Sequence, residues 1–303
     1  MSYDLSRASL GWRFGLIYEE RTVMDQESHR SLTGRLLGAV LAAAKLEMGY
    51  FKSGLAVDTK SDRSPVTAAD REAEALILAA LRRELPGIAI VAEEEFAAGE
   101  RPRLTNPFLL VDALDGTKQF ISGHREFTIN IALVEGGRPV YGLVYAPALD
   151  DFLVTDGPGR AVRARFAPDA AITSLDAAGP AEIRTRAPPA AGIVALQSRS
   201  RNADASNAFL AAFPVATKRQ LGSSYKFCLI AAGEADVYTQ FGDTREWDTA
   251  AGHAILEAAG GTVSAAGGGA LVYAKSGLDY LNPQFIASSR PLGALKAHPP
   301  IAP

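Results

Sequence analysis

The chain has little of several things, and each scarcity closes a route. It holds one cysteine, Cys228, in 303 residues. No disulfide framework and no cysteine-based zinc site can be built within it, which suits a reducing compartment. The four histidines, His29, His124, His253 and His298, have no zinc-type spacing. Long apolar runs are missing too. The most apolar, "LLGAVLAAA" at 36–44, falls far short of the roughly 18 residues of a membrane span. There is no basic excess: 31 Lys and Arg stand against 34 Asp and Glu, a formal net charge of −3, so nothing calls for nucleic acid. The first 30 residues scatter Asp4, Arg7, Arg13, Glu19, Glu20 and Arg21 among apolar ones, and no secretion signal is expected from that pattern.

What is present is ordinary for a globular protein, 48% hydrophobic and 21% charged. The length allows a large core split over two subdomains. Leu32, Leu36, Val40, Ala43, Leu46 and Tyr50 recur at helical spacing over 31–52. Residues 53–66 read as a polar loop. Thr67 with Asp70 three later marks a helix start, and Pro86-Gly87 its end. "IAIVAEEE" (88–95) and "FLLVD" (108–112) read as strands running into acid, and Gly136-Gly137 joins two strands as a hairpin. Residues 156–191, rich in Ala, Gly, Pro and Arg, hold the expected boundary. Beyond it come a strand at 192–197, helices near 203–212, 222–235 and 246–261, and a strand near 236–240. The expected organisation is an N-terminal extension (1–30), an α+β subdomain (31–185), an α/β subdomain (186–290) and a frayed tail (291–303). Hairpins mixed with helices indicate layered sheets with helices between or over them.

The chemistry concentrates in "FLLVDALDGTKQF". A buried run should not stop at charge, because an unpaired buried carboxylate is costly. Asp112 and Asp115 need a cation between them, either Lys118 or a divalent ion such as Mg²⁺, which takes oxygen ligands plus substrate phosphate. Gly116 lets the backbone turn. Thr117 would then open a helical turn whose N–H groups can hold phosphate. Glu93, Glu94, Glu95, Asp70 and Asp248 are further candidate acids. Each also has a plain reading. Asp70 and Asp248 would complement helix dipoles, the glutamates would form a solvated turn, and Asp112 with Asp115 would cap a turn. Cys228 reads as buried packing.

Together these residues resemble the inositol monophosphatase superfamily of metal-dependent, lithium-sensitive phosphatases. The resemblance rests on Asp112-Ala113-Leu114-Asp115-Gly116-Thr117, on Trp247-Asp248-Thr249-Ala250-Ala251-Gly252, on "AEEEFAAGE" with Glu93, and on "PVTAAD" with Asp70. Within it, "EFTINIALV", "GSSYKFCLIAAGEADVY" and "EWDTAAGHAILEAAGG" look like the CysQ-type 3′(2′),5′-bisphosphate nucleotidases. Ala113 stands where family members usually have Pro, Ala92 where Gly or Ser is common, and the loop with Asp243 and Arg245 also departs.

The resemblance implies an α+β fold, the layered αβαβα sandwich of the inositol monophosphatase and fructose-1,6-bisphosphatase type. It implies a cytoplasmic hydrolase of sulfur and nucleotide metabolism, with peripheral membrane association and a homodimer left open. The substrate implied is adenosine 3′,5′-bisphosphate, cleaved to AMP and phosphate by metal-activated water. Two or three Mg²⁺ per site are implied, with Mn²⁺ as a substitute. Glu93, Asp112 and the Leu114 carbonyl would hold one cation, and Asp112, Asp115 and Asp248 a second. Asp70 would help with a third. Thr117, bonded to Asp70, would orient the water. Gly116, Thr117, Gly222, Ser223, Ser224, Lys226 and Asp248 would contact substrate. An inositol or other sugar phosphate monoesterase is the alternative enzyme, and a non-catalytic nucleotide or phosphate binder the alternative of another class.

Overall fold

The computed structural model describes residues 26–53, 57–59, 65–199 and 203–296. Helix α1 (Gln26–Ser53) leads to a small antiparallel pair, β1 (Val57–Thr59) and β2 (Pro65–Thr67), and then to α2 (Ala68–Glu84). Strand β3 (Ala89–Ala92), helix α3 (Glu93–Ala97), β4 (Phe108–Asp115) and α4 (Thr117–Ile121) follow. Five strands complete the first half: β5 (Thr128–Glu135), β6 (Arg138–Ala146), β7 (Asp151–Thr155), β8 (Ala161–Arg165) and β9 (Ala181–Ile183). The second half runs β10 (Ile193–Ser198), α5 (Ala203–Leu210), β11 (Val215–Leu221), α6 (Tyr225–Ala231), β12 (Val237–Gln240), α7 (Ala250–Ala258), β13 (Thr262–Ala265), β14 (Phe285–Ser288) and α8 (Leu292–Lys296).

Strands β3 to β9 form one seven-stranded sheet in sequence order, parallel between β3 and β4 and antiparallel elsewhere. The second sheet has five strands in the order β11-β10-β12-β14-β13. The passage between the sheets lies between Ile183 and Ile193.

Three apolar layers explain the stacking. Leu109 and Val111 of β4 pack with Leu36, Val40, Ile77 and Leu81 of α1 and α2. The alternate residues Phe108 and Leu110 pack with Phe227 of α6, Ile255 of α7 and Phe285 of β14. Leu210, Ile286 and Leu295 cover the far face of the second sheet. The result is an αβαβα sandwich, and β4 opens with four apolar residues, Phe108–Val111, because both its faces are covered.

Several elements differ from the sequence expectations. Helix α1 starts before residue 31, and two residues assigned to the extension are built into the fold. His29 is buried, its Nε2 3.1 Å from the Val140 carbonyl, and Arg30 donates to Asp156 at 2.8 and 3.0 Å. Residues 1–25 and 297–303 lie outside the described residues, as does His298. The tail from 291 begins as α8, anchored by the buried Leu295. The polar loop at 53–66 contains β1 and β2, and the irregular 156–191 stretch contains β8 and β9. The helix expected over 222–235 spans only Tyr225–Ala231, because Gly222 and Ser223 are needed for a turn. Among the described residues no helix is long and apolar enough to cross a membrane.

Candidate active site

Strand β4 carries two aspartates three apart, an odd spacing that would aim them at opposite faces. The register against β5 resolves this. Asp112 pairs with Asn130 and Asp115 with Thr128, with an irregularity between. One extra residue on β4 restores the face, so both aspartates point the same way as Asn130 and Thr128. That is the face of Phe108 and Leu110, toward α6 and α7.

Three acids from different elements converge there. Glu93, Asp112 and Asp248 each bring a carboxylate oxygen to within 4.8 Å of the others. Glu93 is the first residue of α3, not the end of β3 as the sequence suggested. Acidic residues favour a helix's first turn, where N–H groups are exposed. Asp112 is buried, and its Oδ1 accepts the Leu114 N–H at 3.0 Å. Asp248 ends a short 3₁₀ turn, Glu246–Asp248, and accepts the Arg245 N–H at 2.9 Å. Beside it Trp247 packs on Phe96 of α3, with ring centroids 5.1 Å apart.

Asp115 lines the same cavity but is not one of the converging three. Its Oδ2 accepts the Ser224 N–H, and the Asn130 amide donates to it at 3.4 Å. Burial pushes its carboxyl up, against the pull of the Lys226 ammonium. The cation acting on Asp115 is thus Lys226, not Lys118, which is exposed at the cavity. Lys226 is itself buried and donates to the Ser223 and Leu221 carbonyls.

Thr117 lies at the start of α4. Its hydroxyl donates to Asp70 Oδ1 at 2.8 Å, with the Leu114 carbonyl farther off at 3.4 Å. Asp70 Oδ2 accepts the Thr67 N–H at 2.8 Å and the Thr67 hydroxyl at 2.5 Å. Burial raises the Asp70 carboxyl in spite of these donors. Asp70 therefore stands behind Thr117, which faces the cavity.

Another part of the wall is the turn before α6. Gly222 admits no side chain, since a Cβ would sit 2.3 Å from Gln119 Cγ. Gly116 has φ +98°, and a Cβ there would crowd Ser223 Cβ at 3.3 Å. Ser223 adopts φ +50°, a strained value for a residue with a Cβ. Ser224 is locked by its hydroxyl, which donates to Asn130 Oδ1 at 2.7 Å and lies 2.9 Å from the Thr128 hydroxyl. Gly116, Thr117, Leu114, Gly222, Ser223, Ser224, Lys226 and Asp248 all line one cavity with Glu93, Asp112 and Asp115.

Sequence reasoning passed over Thr128, Asn130, Gln119 and Glu74. The first two were visible as polar residues at alternate positions of an otherwise apolar strand. Glu74 is buried in α2, accepts two N–H groups of α3, and has its carboxyl pushed up to about 7, chiefly by burial. Cys228 is buried, which raises its thiol well above the usual range and suits it to packing, not attack. His253 is also buried, with Nδ1 2.9 Å from the Tyr273 hydroxyl and Nε2 3.2 Å from Glu257. His124 is exposed.

Oxygen donors from three carboxylates are the set a hard divalent cation takes, and a cation among them removes their mutual repulsion. Known proteins share this arrangement of chain and fold. A model described as the Inositol monophosphatase family matches residues 29–299. The chain is 41% identical over 226 residues to the 3′(2′),5′-bisphosphate nucleotidase CysQ of Salmonella typhimurium, covering 75% of this chain and 86% of that one. It is 38% identical over 234 residues to the Buchnera aphidicola protein of the same name, covering 77% and 83%. The crystal structure of CysQ from Bacteroides thetaiotaomicron superposes with a TM-score of 0.70 at 32% identity, covering 86% of this chain and 98% of that one. Matches of this extent in sequence and fold, over a site with a fitting acidic donor set, mean that this chain belongs to the metal-dependent inositol monophosphatase family.

Proposed function

We propose that the protein is a Mg²⁺-dependent 3′(2′),5′-bisphosphate nucleotidase that removes the 3′-phosphate of adenosine 3′,5′-bisphosphate, giving AMP and phosphate. The observation that carries this reading is the pairing of two groups of residues. Glu93, Asp112 and Asp248 converge in the cavity, and the Gly222–Lys226 turn lines it with them. The identity to proteins named as such nucleotidases supports the substrate class.

Glu93, Asp112 and Asp248 would hold the ion, with Asp115 and the Leu114 carbonyl beside them. When bound, Mg²⁺ supplies positive charge that binds the substrate phosphate and stabilises the charge developing on it. Thr117 donates its hydroxyl hydrogen bond to Asp70, which leaves its lone pairs free to accept a hydrogen bond from a water in the cavity. That fixes the water's orientation for attack on phosphorus, opposite the ester oxygen. As the water oxygen bonds to phosphorus the P–O bond to the ribose breaks; one proton of the water stays with the phosphate and the other passes, through solvent, to the departing ribose oxygen. The buried Lys226 places a point charge where a second phosphate can be met, and the Asp115–Ser224 bond holds the turn that carries it.

The test is phosphate release from adenosine 3′,5′-bisphosphate, inositol 1-phosphate and fructose 1,6-bisphosphate, with and without Mg²⁺. The nucleotide should be preferred and Mg²⁺ required. Preference for inositol phosphate would move the protein to the sugar phosphate monoesterases. Release of phosphate from none of them would leave a binder.

A further inference from the structure

Glu74 is a buried carboxylate that the cavity lining does not account for. It follows Asp70 by one turn of α2 and is 3% exposed. Its two oxygens accept two successive backbone N–H groups, Glu94 at 2.8 Å and Glu95 at 2.9 Å. Both belong to the first turn of α3. That helix has five residues, too few to hold its own shape in water. Its direction must be imposed from outside, and its first N–H groups have no partners within it.

Capping alone does not require this residue type. A serine or asparagine would satisfy an N–H without burying charge. A carboxylate placed beside Glu93 and Glu94 is repelled by both, and burial disfavours its charge further. What the carboxylate offers is two acceptors on one rigid plane, enough to fix both the position and the rotation of the first turn. Glu93 opens that turn. Further along the same helix, Phe96 leans on Trp247, the neighbour of Asp248.

We propose that Glu74 is a positioning residue, whose carboxylate sets the first turn of α3 so that Glu93 meets Asp112 and Asp248. This rests on reading those three acids as the metal site. Helix α2 then serves as a common base. Asp70 fixes Thr117 on one side of the cavity, and Glu74 fixes Glu93 on the other.

The experiment compares the full chain with Glu74→Gln, which keeps one acceptor oxygen, and Glu74→Met, which keeps the volume and neither acceptor. Arg82→Ala is the control, because it removes an exposed ion pair to Glu95 on the same helix. Mg²⁺ affinity is read by calorimetric titration, alongside the Mg²⁺ concentration for half-maximal phosphate release and the melting temperature. Affinity should fall about tenfold in the Met variant and by less in the Gln variant, as expected for a residue behind a metal ligand. Excess Mg²⁺ should restore most of kcat in both, and Arg82→Ala should match wild type. A Met variant that folds, melts lower and binds Mg²⁺ as tightly as wild type overturns the proposal, leaving Glu74 a helix cap. Should the Met variant not fold, wild-type affinity in the Gln variant has the same force. A wild-type protein that neither binds nor needs Mg²⁺ overturns the metal-site reading, and the role of Glu74 with it.

Discussion

The molecule places its acids in two ways. At the outer strands of the first sheet and along the second, acids meet guanidinium groups. Asp151 accepts two bonds of 2.6 Å from Arg163, Asp156 is bonded by Arg30 and Arg160, and Asp236 takes both arms of Arg186. At the cavity, Glu93, Asp112 and Asp248 instead bring their oxygens toward one another. The first arrangement closes its charge balance with side chains of the chain itself and holds the fold. The second concentrates negative charge at one point, which is useful when a cation and an anionic substrate arrive there together.

The comparison can be broken at either end. Removing a structural acid should cost stability. Asp151→Ala leaves Arg163 with Glu234 as its remaining carboxylate and takes the acceptor from the Tyr225 hydroxyl, which donates to Asp151 at 2.6 Å. A loss of about 2–3 kcal/mol in urea unfolding is expected, from the lost bonds and the buried hydroxyl left unsatisfied. Removing a cavity acid should cost activity while sparing the fold. Asp112→Asn should lower kcat/KM by at least about 100-fold, with a melting temperature equal to or above that of wild type. A variant that loses stability and keeps turnover would place Asp112 with the structural acids.

Mg²⁺ itself separates the two sets. At about 100 times its dissociation constant it should stabilise the wild type by about 2.7 kcal/mol, read as a rise in melting temperature that EDTA reverses. Asp112→Asn should lose that rise, and a conservative change at an arginine-paired site such as Asp236→Asn should keep it.

Glu47 offers a graded effect, spread over pH, and a third kind of acid. It is wholly buried, and among the described residues neither carboxylate oxygen has a hydrogen-bond partner. Burial, and then the charge of Asp70, hold its carboxyl well above the usual range. The folded state keeps the proton that the unfolded state releases near pH 4.5, so stability falls as pH rises from there toward the folded value. The loss is up to about 1.4 kcal/mol per pH unit in that window. Glu47→Gln should flatten the slope, seen in denaturation midpoints at pH 5 and pH 7.

How far the sequence could be read depended on what covers each element. The hairpin of β5 and β6 was plain because both strands are apolar and a Gly pair turns between them. Strand β11 was hidden, since its middle residues Ala216, Thr217, Lys218, Arg219 and Gln220 are all exposed and show no alternation. Strands β8 and β9 were lost among Arg, Pro and Ala. Lys118 was a reasonable partner for two nearby aspartates, but its side chain faces solvent while Lys226, distant in sequence, enters the site.

By itself the chain's order of residues determined the acids, the Gly-Thr after them, the apolar strands that carry them and the class of protein they resemble. Those are local chemistry and periodicity, which short segments express without help. Only the tertiary structure decided which acids meet, that Asp115 bonds Ser224 instead of joining the trio, and that Glu74 accepts the N–H groups of Glu94 and Glu95. A bulge between Asp112 and Asp115 and the docking of α2 on α3 set those distances, and neither is written in any one segment, because each depends on two parts of the chain finding the same place.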